Sequence, residues 1–114
     1  MQAGLTWRGN RVRGERMLVR VITMQVLPGR FEDWKRYTKE IGFPGMLAQP
    51  GCMKIWRMRR QGAAEGEYQV LTLWDSNESL ERFKSSDAMR DLSASAAALT
   101  APPYPEVLYA IIPD

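Results

Sequence analysis

The spacing of apolar positions in the first half of the chain predicts one strand followed by one helix. Apolar residues run through Leu18 to Val26, which favours a strand, and recur at helical spacing from Phe31 to Ile41. Four residues form the expected apolar face of that helix: Phe31, Trp34, Thr38 and Ile41. Gly42 and Pro44 are expected to end it.

The second half predicts a hairpin, a helical region in two pieces and a last strand. The hairpin strands are Met53 to Arg60 and Glu67 to Asp75, and the glycine-containing stretch between them has hairpin length, so the pair should be antiparallel. Helical spacing follows from Asn77 to Ser85 and again from Ala88 to about Leu99. The last strand is predicted from Glu106 to Ile112.

Serine residues are placed to start both pieces of the second helical region. Ser76 can accept a hydrogen bond from the backbone N–H of Ser79 or its neighbour, as N-cap residues do. Ser86 and Asp87 form a similar start for the second piece, whose apolar stripe is Met89, Leu92, Ala96 and Leu99. Two consecutive prolines at 102–103 are expected to stop the helix.

The element order β-α-β-β-α-β predicts an α+β fold of the ferredoxin-like type, with helices on one face of a four-stranded antiparallel sheet. A sheet covered on one side should alternate apolar and polar residues. The last strand does not alternate, because Val107 and Tyr109 on one side oppose Leu108 and Ala110 on the other. We therefore expect a second copy of the sheet to cover the open face, which gives a homodimer.

Length and composition favour one domain and exclude several classes. The chain has 114 residues, 45% of them apolar, and its longest apolar run, Val107 to Ile112, is far too short for a membrane span of about 20 residues. Cys52 is the single cysteine, so no intrachain disulfide can form. No membrane partner and a cytoplasmic location are the expectations.

The basic charge belongs to the first 16 residues. They hold four arginines and one glutamate, which account for the whole net charge of +3. We expect a disordered extension there, upstream of a domain that begins at Met17, and a phosphate-binding arm is the alternative. An RNA-binding sheet is disfavoured because Glu67 to Asp75 carries two acids and no base, so no nucleic-acid partner is expected.

Three short motifs carry a resemblance to a known family. They are Leu27-Pro28-Gly29, Gln49-Pro50-Gly51-Cys52, and Leu71-Thr72-Leu73-Trp74-Asp75-Ser76 continuing into Leu80, Phe83 and Ser86-Asp87. In this order and spacing, the chain from Met17 to Ile112 resembles the antibiotic biosynthesis monooxygenases. The resemblance implies a dimeric α+β barrel, the fold shared with heme-degrading relatives.

The heme-degrading branch can be compared position by position. The resemblance implies an axial His, a Trp and an Asn, which fall at about Ser93, Phe83 and Ile22 of this chain. None of the three is kept, and the chain contains no His at all. Heme degradation and ordinary zinc or non-heme iron sites are therefore disfavoured, and no cofactor is expected.

With heme degradation disfavoured, the resemblance implies cofactor-independent oxygenation of an aromatic or polyketide-like phenol. Quinone-forming members of the family carry out this reaction, and their substrates supply the electrons. Arg57 is the preferred stabiliser of the developing oxyanion, since it shares a strand face with Ile55 and could reach a pocket mouth. Tyr68 and Asn77 are candidates to orient a phenolic oxygen, as is Tyr109. The residues expected to shape an aromatic pocket are Trp34, Trp74, Phe83 and Tyr109.

Plainer interpretations stand beside these assignments. Aromatic residues at core spacing usually pack the core, and the arginines at 57, 59 and 60 could pair with Glu65 and Glu67 across the hairpin. Cys52 is best read as a small apolar residue beside a turn. A non-catalytic binding protein for a hydrophobic metabolite would use the same pocket without activating O₂.

Overall fold

A computed structural model describes residues 16–114 of the chain. Its strands are β1 (Leu18–Val26), β2 (Cys52–Met58), β3 (Glu67–Trp74), β4 (Thr100–Ala101) and β5 (Glu106–Ala110). Its α-helices are α1 (Phe31–Tyr37), α2 (Phe43–Leu47), α3 (Asn77–Lys84) and α4 (Asp87–Ala96), and a π-helical segment, Thr38–Gly42, joins α1 to α2. The expectation about the basic N-terminal extension concerns residues that lie almost entirely outside this described range.

The strands form one antiparallel sheet in the order β2-β3-β1, and both β4 and β5 pair with the free side of β1. One cross-strand row runs through the whole sheet, with Arg57 opposite Val70, Val70 opposite Ile22, and Ile22 opposite Glu106. This arrangement confirms the ferredoxin-like α+β prediction and places the first and last strands side by side.

The predicted hairpin is present with slightly different bounds. β2 ends at Met58, two residues before Arg60, and a register shift follows Cys52, so that Met53 has no direct partner on β3. Gly62 and Gly66 adopt φ angles of 80° and 84° in the connection, a conformation that favours glycine. Arg60 contacts Glu67 across the hairpin at 3.4 Å, which is one of the pairings that the sequence suggested.

The first helical region differs from its prediction, because the helix does not end at Gly42. The segment Thr38–Gly42 continues it as a π-turn, and Pro44 lies in the first turn of α2, a position where proline is common. The π-turn is wider than an α-turn, so it shifts the apolar face. Ile41, predicted on that face, is 56% exposed, whereas Trp34 and Thr38 are buried as expected.

The predicted caps of the second helical region are confirmed. The Ser76 hydroxyl accepts a hydrogen bond from the Ser79 N–H at 3.1 Å, and the Ser86 hydroxyl accepts one from the Met89 N–H at 3.2 Å. The predicted end at Leu99 is wrong, because α4 ends at Ala96 and Leu99 is buried beyond it. A short strand, β4, follows there and pairs with the end of β1. The sequence has no apolar period that predicts this strand.

Two buried clusters lie between the helices and the sheet. One contains Leu18, Cys52, Trp74, Leu80 and Phe83, and the other contains Val26, Trp34 and Leu99. No helix within residues 16–114 is long and apolar enough to cross a membrane.

The sheet face away from the helices carries an apolar surface. Alternation along the strands places Trp56, Leu71, Val21 and Val107 in one row on this face, because their neighbours Ile55, Thr72, Arg20 and Glu106 line the helix side. Trp56 is 48% exposed in the single chain, and Tyr109, one row away, is 56% exposed. We call this surface, defined by Val19, Val21, Trp56, Leu71, Leu73, Val107 and Tyr109, the open face.

Candidate functional site

A cavity of about 540 Å³ lies between the helices and the inner face of the sheet. Its floor comes from Arg20, Ile22 and Met24 of β1 and from Val70 and Thr72 of β3. Its other walls come mainly from α1, the π-turn, α2, α3 and α4. This volume falls within the range of about 300 to 1,000 Å³ that small-molecule sites occupy.

The walls include several aromatic rings and methionine side chains. Trp34 contributes from one buried cluster and Phe83 from the other, and Phe43, Met46 and Met89 lie beside them in the apolar lining. Aromatic rings give flat, rigid contact area, while methionine adapts to irregular shapes. The cavity is therefore suited to a flat apolar molecule.

Two tyrosine hydroxyls lie at the cavity wall. The Tyr37 hydroxyl donates to the Leu92 carbonyl at 3.2 Å, and the Tyr104 hydroxyl is 2.8 Å from the Thr100 hydroxyl. Burial raises the pKa of Tyr37, although a hydrogen bond with Ser95 opposes this, so its phenol stays protonated at neutral pH. Both phenols keep acceptor or donor capacity for a bound oxygen atom.

A charged cluster formed by Arg20, Glu106 and Lys84 lies at the β1–β5 side of the cavity. The Arg20 Nε atom donates to Glu106 at 2.5 Å, and Lys84 Nζ donates to the other carboxylate oxygen at 3.0 Å. Burial acts to raise the pKa of Glu106, but the hydrogen bonds and positive charges of Lys84 and Arg20 outweigh it, so this pKa is lowered. The carboxyl is therefore ionised at neutral pH.

Arg57 lies at the opposite side of the cavity, on the edge strand β2, and does not itself line it. Its Nε atom donates to the Thr38 hydroxyl at 2.9 Å, and its guanidinium lies 5.3 Å from the centre of the Phe43 ring. Both partners line the cavity. Arg57 therefore sits at the rim, next to the lining, and its side chain is exposed to solvent there.

Trp34 and Phe83 lie in the cavity wall, whereas Trp74 lies behind it. Trp74 is fully buried, its ring centre is 5.4 Å from that of Phe83, and its Nε1 donates to the Thr72 hydroxyl at 2.8 Å. Trp74 thus supports two residues of the lining without reaching the cavity.

Tyr68, Asn77 and Tyr109 are not brought to the cavity. Tyr68 stacks on Phe31 with ring centres 4.8 Å apart, in the second cluster. Asn77 is the exposed first residue of α3, and Tyr109 lies on the open face of the sheet. Of the residues predicted from sequence, the structure brings together Trp34 and Phe83 in the wall and Arg57 at the rim.

Several lining residues were missed by the sequence prediction. Arg20 shares its strand face with Leu18 and Ile22. A single arginine on an otherwise apolar strand face is unusual, so the sequence did contain a signal that Arg20 lies at a site. Tyr37 lies three residues after Trp34 on the same helix face, which also hinted at its place. Tyr104 stands in a proline-rich loop with no period, and nothing in the sequence placed it.

The residues that could bind a metal or act as a nucleophile are few. No group of three His, Cys, Asp or Glu residues within 16–114 is arranged to hold a metal ion. Burial raises the pKa of Cys52 to about 11, which keeps this thiol neutral at pH 7. Ile22, Phe83 and Ser93, at about which the family resemblance predicted heme-site residues, all line the cavity, and their side chains are not usual iron ligands.

Sequence comparison decides the family. The family model described as antibiotic biosynthesis monooxygenase matches residues 17–95, which is well over half of the chain. The chain belongs to the antibiotic biosynthesis monooxygenase family. The matched range contains β1, the hairpin, the helices that cover the sheet, and most of the cavity lining. A comparison with curated proteins finds no match.

Solved structures of this family share the fold. A proposed antibiotic biosynthesis monooxygenase from Caulobacter crescentus superposes with a TM-score of 0.73 at 20% identity, over 88% of this chain and 93% of that one. A second, from Bordetella bronchiseptica, gives 0.75 at 17% identity, over 86% and 99%. SnoaB of Streptomyces nogalater, a cofactor-independent oxygenase, gives 0.66 at 14% identity, over 82% and 91%. At these identities the likeness concerns the fold alone.

Proposed function

We propose that this protein is a cofactor-independent monooxygenase that oxidises an aromatic or polyketide-like phenol with O₂. The observation that carries the proposal is the apolar cavity of about 540 Å³, walled by Trp34, Phe43 and Phe83 and bordered by cationic side chains. Membership of the antibiotic biosynthesis monooxygenase family supports the reaction class, and the fold likeness to SnoaB supports oxygenation without a cofactor.

In the proposed reaction the substrate itself is the reductant. Loss of a proton to water gives an enolate or phenolate, which transfers an electron to O₂. The two radicals then combine to form a carbon–oxygen bond, and loss of water from the hydroperoxide leaves a new carbonyl group. One oxygen atom enters the product and the other leaves as water, so no external electron donor is required.

The protein's part in this reaction is to bind a flat ring and stabilise the negative charge that forms on it. Trp34 and Phe83 would hold the ring, and Tyr37 and Tyr104 would orient its oxygen atoms. Arg57 would stabilise the oxyanion from the rim, because Thr38 holds its Nε and leaves its terminal amino groups without hydrogen-bond partners within residues 16–114. A pre-positioned donor of this kind stabilises the transition state more than the ground state.

We further propose that the functional unit is a homodimer joined through the open face. Val21, Leu71, Trp56 and Val107 form a continuous apolar row there, and the helices of the same chain cover only the other face. A second copy placed sheet to sheet would bury this row and close the back of the cavity floor.

Oxygen consumption tests the proposed activity. Protein freed of metal and flavin should oxidise anthrone to anthraquinone above the uncatalysed rate. Removing one oxyanion donor costs about a hundredfold or more in rate, so Arg57→Ala should slow turnover by about a hundredfold. Arg59→Ala is the matched control, because Arg59 is not among the cavity-lining residues and should retain the wild-type rate. Arg59 hydrogen-bonds the Ala63 and Ala64 carbonyls, and its guanidinium lies 5.7 Å from the centre of the Tyr68 ring.

The same experiment separates the enzyme from a binding protein. Ligand binding without O₂ uptake, across a panel of anthrones and naphthols, would support the non-catalytic alternative. Turnover that is unchanged in Arg57→Ala would remove Arg57 from the mechanism while leaving the monooxygenase assignment in place.

A further inference from the structure

The guanidinium of Arg20 is a buried charged group in the cavity lining. Its side chain is only 10% exposed, on a strand face shared with apolar residues. Within residues 16–114, its one hydrogen-bond partner is Glu106, whose carboxylate accepts a hydrogen bond from the Nε–H group. The terminal amino groups are thus left without a protein partner, although a buried guanidinium that lacks partners is costly.

The charges around Arg20 favour a bound anion. Three of the described lining residues are charged, Arg20, Lys84 and Glu106, and they sum to a net charge of +1 at the cavity wall. Lys84 also contacts Glu81 at 3.8 Å, but Glu81 is 57% exposed and lies outside the lining. One carboxylate therefore holds two cations in place and leaves their positive charge incompletely neutralised.

The position of the cluster in the sheet fixes where the anion would lie. Glu106 and Arg57 are at opposite ends of one cross-strand row, with Val70 and Ile22 between them. Three strand spacings separate them, which is about 14 Å. The Arg20 cluster is thus a second polar end of the cavity, distinct from the rim where Arg57 lies.

We propose that the natural ligand of the cavity is an aromatic molecule that carries a permanent anionic group, and that the terminal amino groups of Arg20 bind this group with help from Lys84. A carboxylate suits the site best, because two parallel N–H donors of a guanidinium match its two oxygen atoms. The inference deepens the proposed function, since it names the substrate class of the same cavity. Arg20 would act in binding and orientation, with the ring between Trp34 and Phe83.

Two fluorescent probes that differ by one charged group provide the test. The anion 8-anilinonaphthalene-1-sulfonate and its uncharged parent, N-phenyl-1-naphthylamine, both fluoresce in apolar sites, so their dissociation constants can be measured by titration of the full chain. Arg20→Met should weaken sulfonate binding by about tenfold or more, because a hydrogen bond to a charged group is lost, and leave the uncharged probe within about threefold. Arg82→Met, which removes an exposed charge on α3, should change neither.

A variant of opposite sign excludes general damage to the fold. Glu106→Gln removes the negative charge beside Arg20, so it should tighten sulfonate binding several-fold and leave the uncharged probe unchanged. If Arg20→Met does not fold, as judged by circular dichroism, Lys84→Met replaces it, with a loss in the same direction. Displacement by 2-naphthoate but not by 2-naphthol would identify the group as a carboxylate, and the reverse order would identify a hydroxyl.

The outcomes separate this inference from the proposed reaction. Equal losses for both probes in Arg20→Met, or weaker sulfonate binding in Glu106→Gln, would overturn the anion site whether or not the protein consumes O₂. Selective sulfonate binding without O₂ uptake on any substrate would sustain the anion site and refute the oxygenase.

Discussion

Replacement of Leu71 by lysine should separate the dimer that the open face predicts. Leu71 is in the middle strand β3, between Trp56 on β2 and Val21 on β1. In a single chain the lysine can extend into water, so the fold should survive. In a sheet-to-sheet dimer the same lysine would be enclosed by apolar side chains.

The expected effect is large because a two-fold dimer contains the substitution twice. Each chain loses about 1.5 to 3 kcal/mol from the burial of leucine, and enclosing an ammonium group adds to the cost. A cost of about 3 kcal/mol per chain totals about 6 kcal/mol, which weakens association by about ten-thousandfold. A dimer that persists at nanomolar concentration would then dissociate at micromolar concentration.

Sedimentation at micromolar concentration measures this directly. The wild-type chain of 13.0 kDa should sediment as a dimer of about 26 kDa, and Leu71→Lys should sediment as a monomer. Leu47→Lys is the matched control, because Leu47 is 45% exposed on α2 and should leave the dimer intact. A folded wild-type monomer, or a Leu71→Lys dimer, would contradict the sheet-to-sheet arrangement.

Three further predictions concern stability. Leu80 is fully buried against Trp74 and Phe83, so Leu80→Ala should lower the free energy of unfolding by about 2 to 5 kcal/mol and the melting temperature by about 10 °C or more. A loss of unfolding free energy under about 1 kcal/mol would mean that the cluster is loosely packed. The lowered pKa of Glu106 gives stability that is present above the usual pKa of 4.5 and is lost as the pH falls through the folded-state pKa. The difference in melting temperature between wild type and Glu106→Gln should therefore disappear in acid. A difference that stays constant with pH would refute this linkage. Deletion of residues 1–16, which have no apolar period, should change unfolding free energy by less than about 0.5 kcal/mol in chemical denaturation, and a larger loss would mean that they contact the fold.

Most of the fold could be predicted from the sequence, because its local signals agree with one another. The serine caps at positions 76 and 86 mark both helix starts, and the hairpin is marked by glycines on either side of a short connection. The first helix was harder, because Gly42 and Pro44 are terminators in most contexts. Pro44 is tolerated here only because a π-turn starts a new helical turn before it, and a residue pattern does not reveal that geometry.

The site was less predictable, because both faces of several strands are apolar. Strand parity tells which residues share a face but not which face the helices cover. Tyr109 was assigned to the pocket for this reason, and the structure places it on the open face. Arg20 and Leu18 lie on the same strand face, and this placement indicates which face bears the site. A charged side chain on a buried face needs a partner or a ligand.

Isotope labelling tests the central claim most directly. Metal-free and flavin-free protein is incubated with anthrone under ¹⁸O₂, and the anthraquinone is analysed by mass spectrometry. The account predicts one ¹⁸O atom in each product molecule, formed above the uncatalysed rate and lost in proportion to activity in Arg57→Ala. Product formation no faster than in the protein-free control, across anthrones and naphthols, would contradict the claim that this cavity is an oxygenase site.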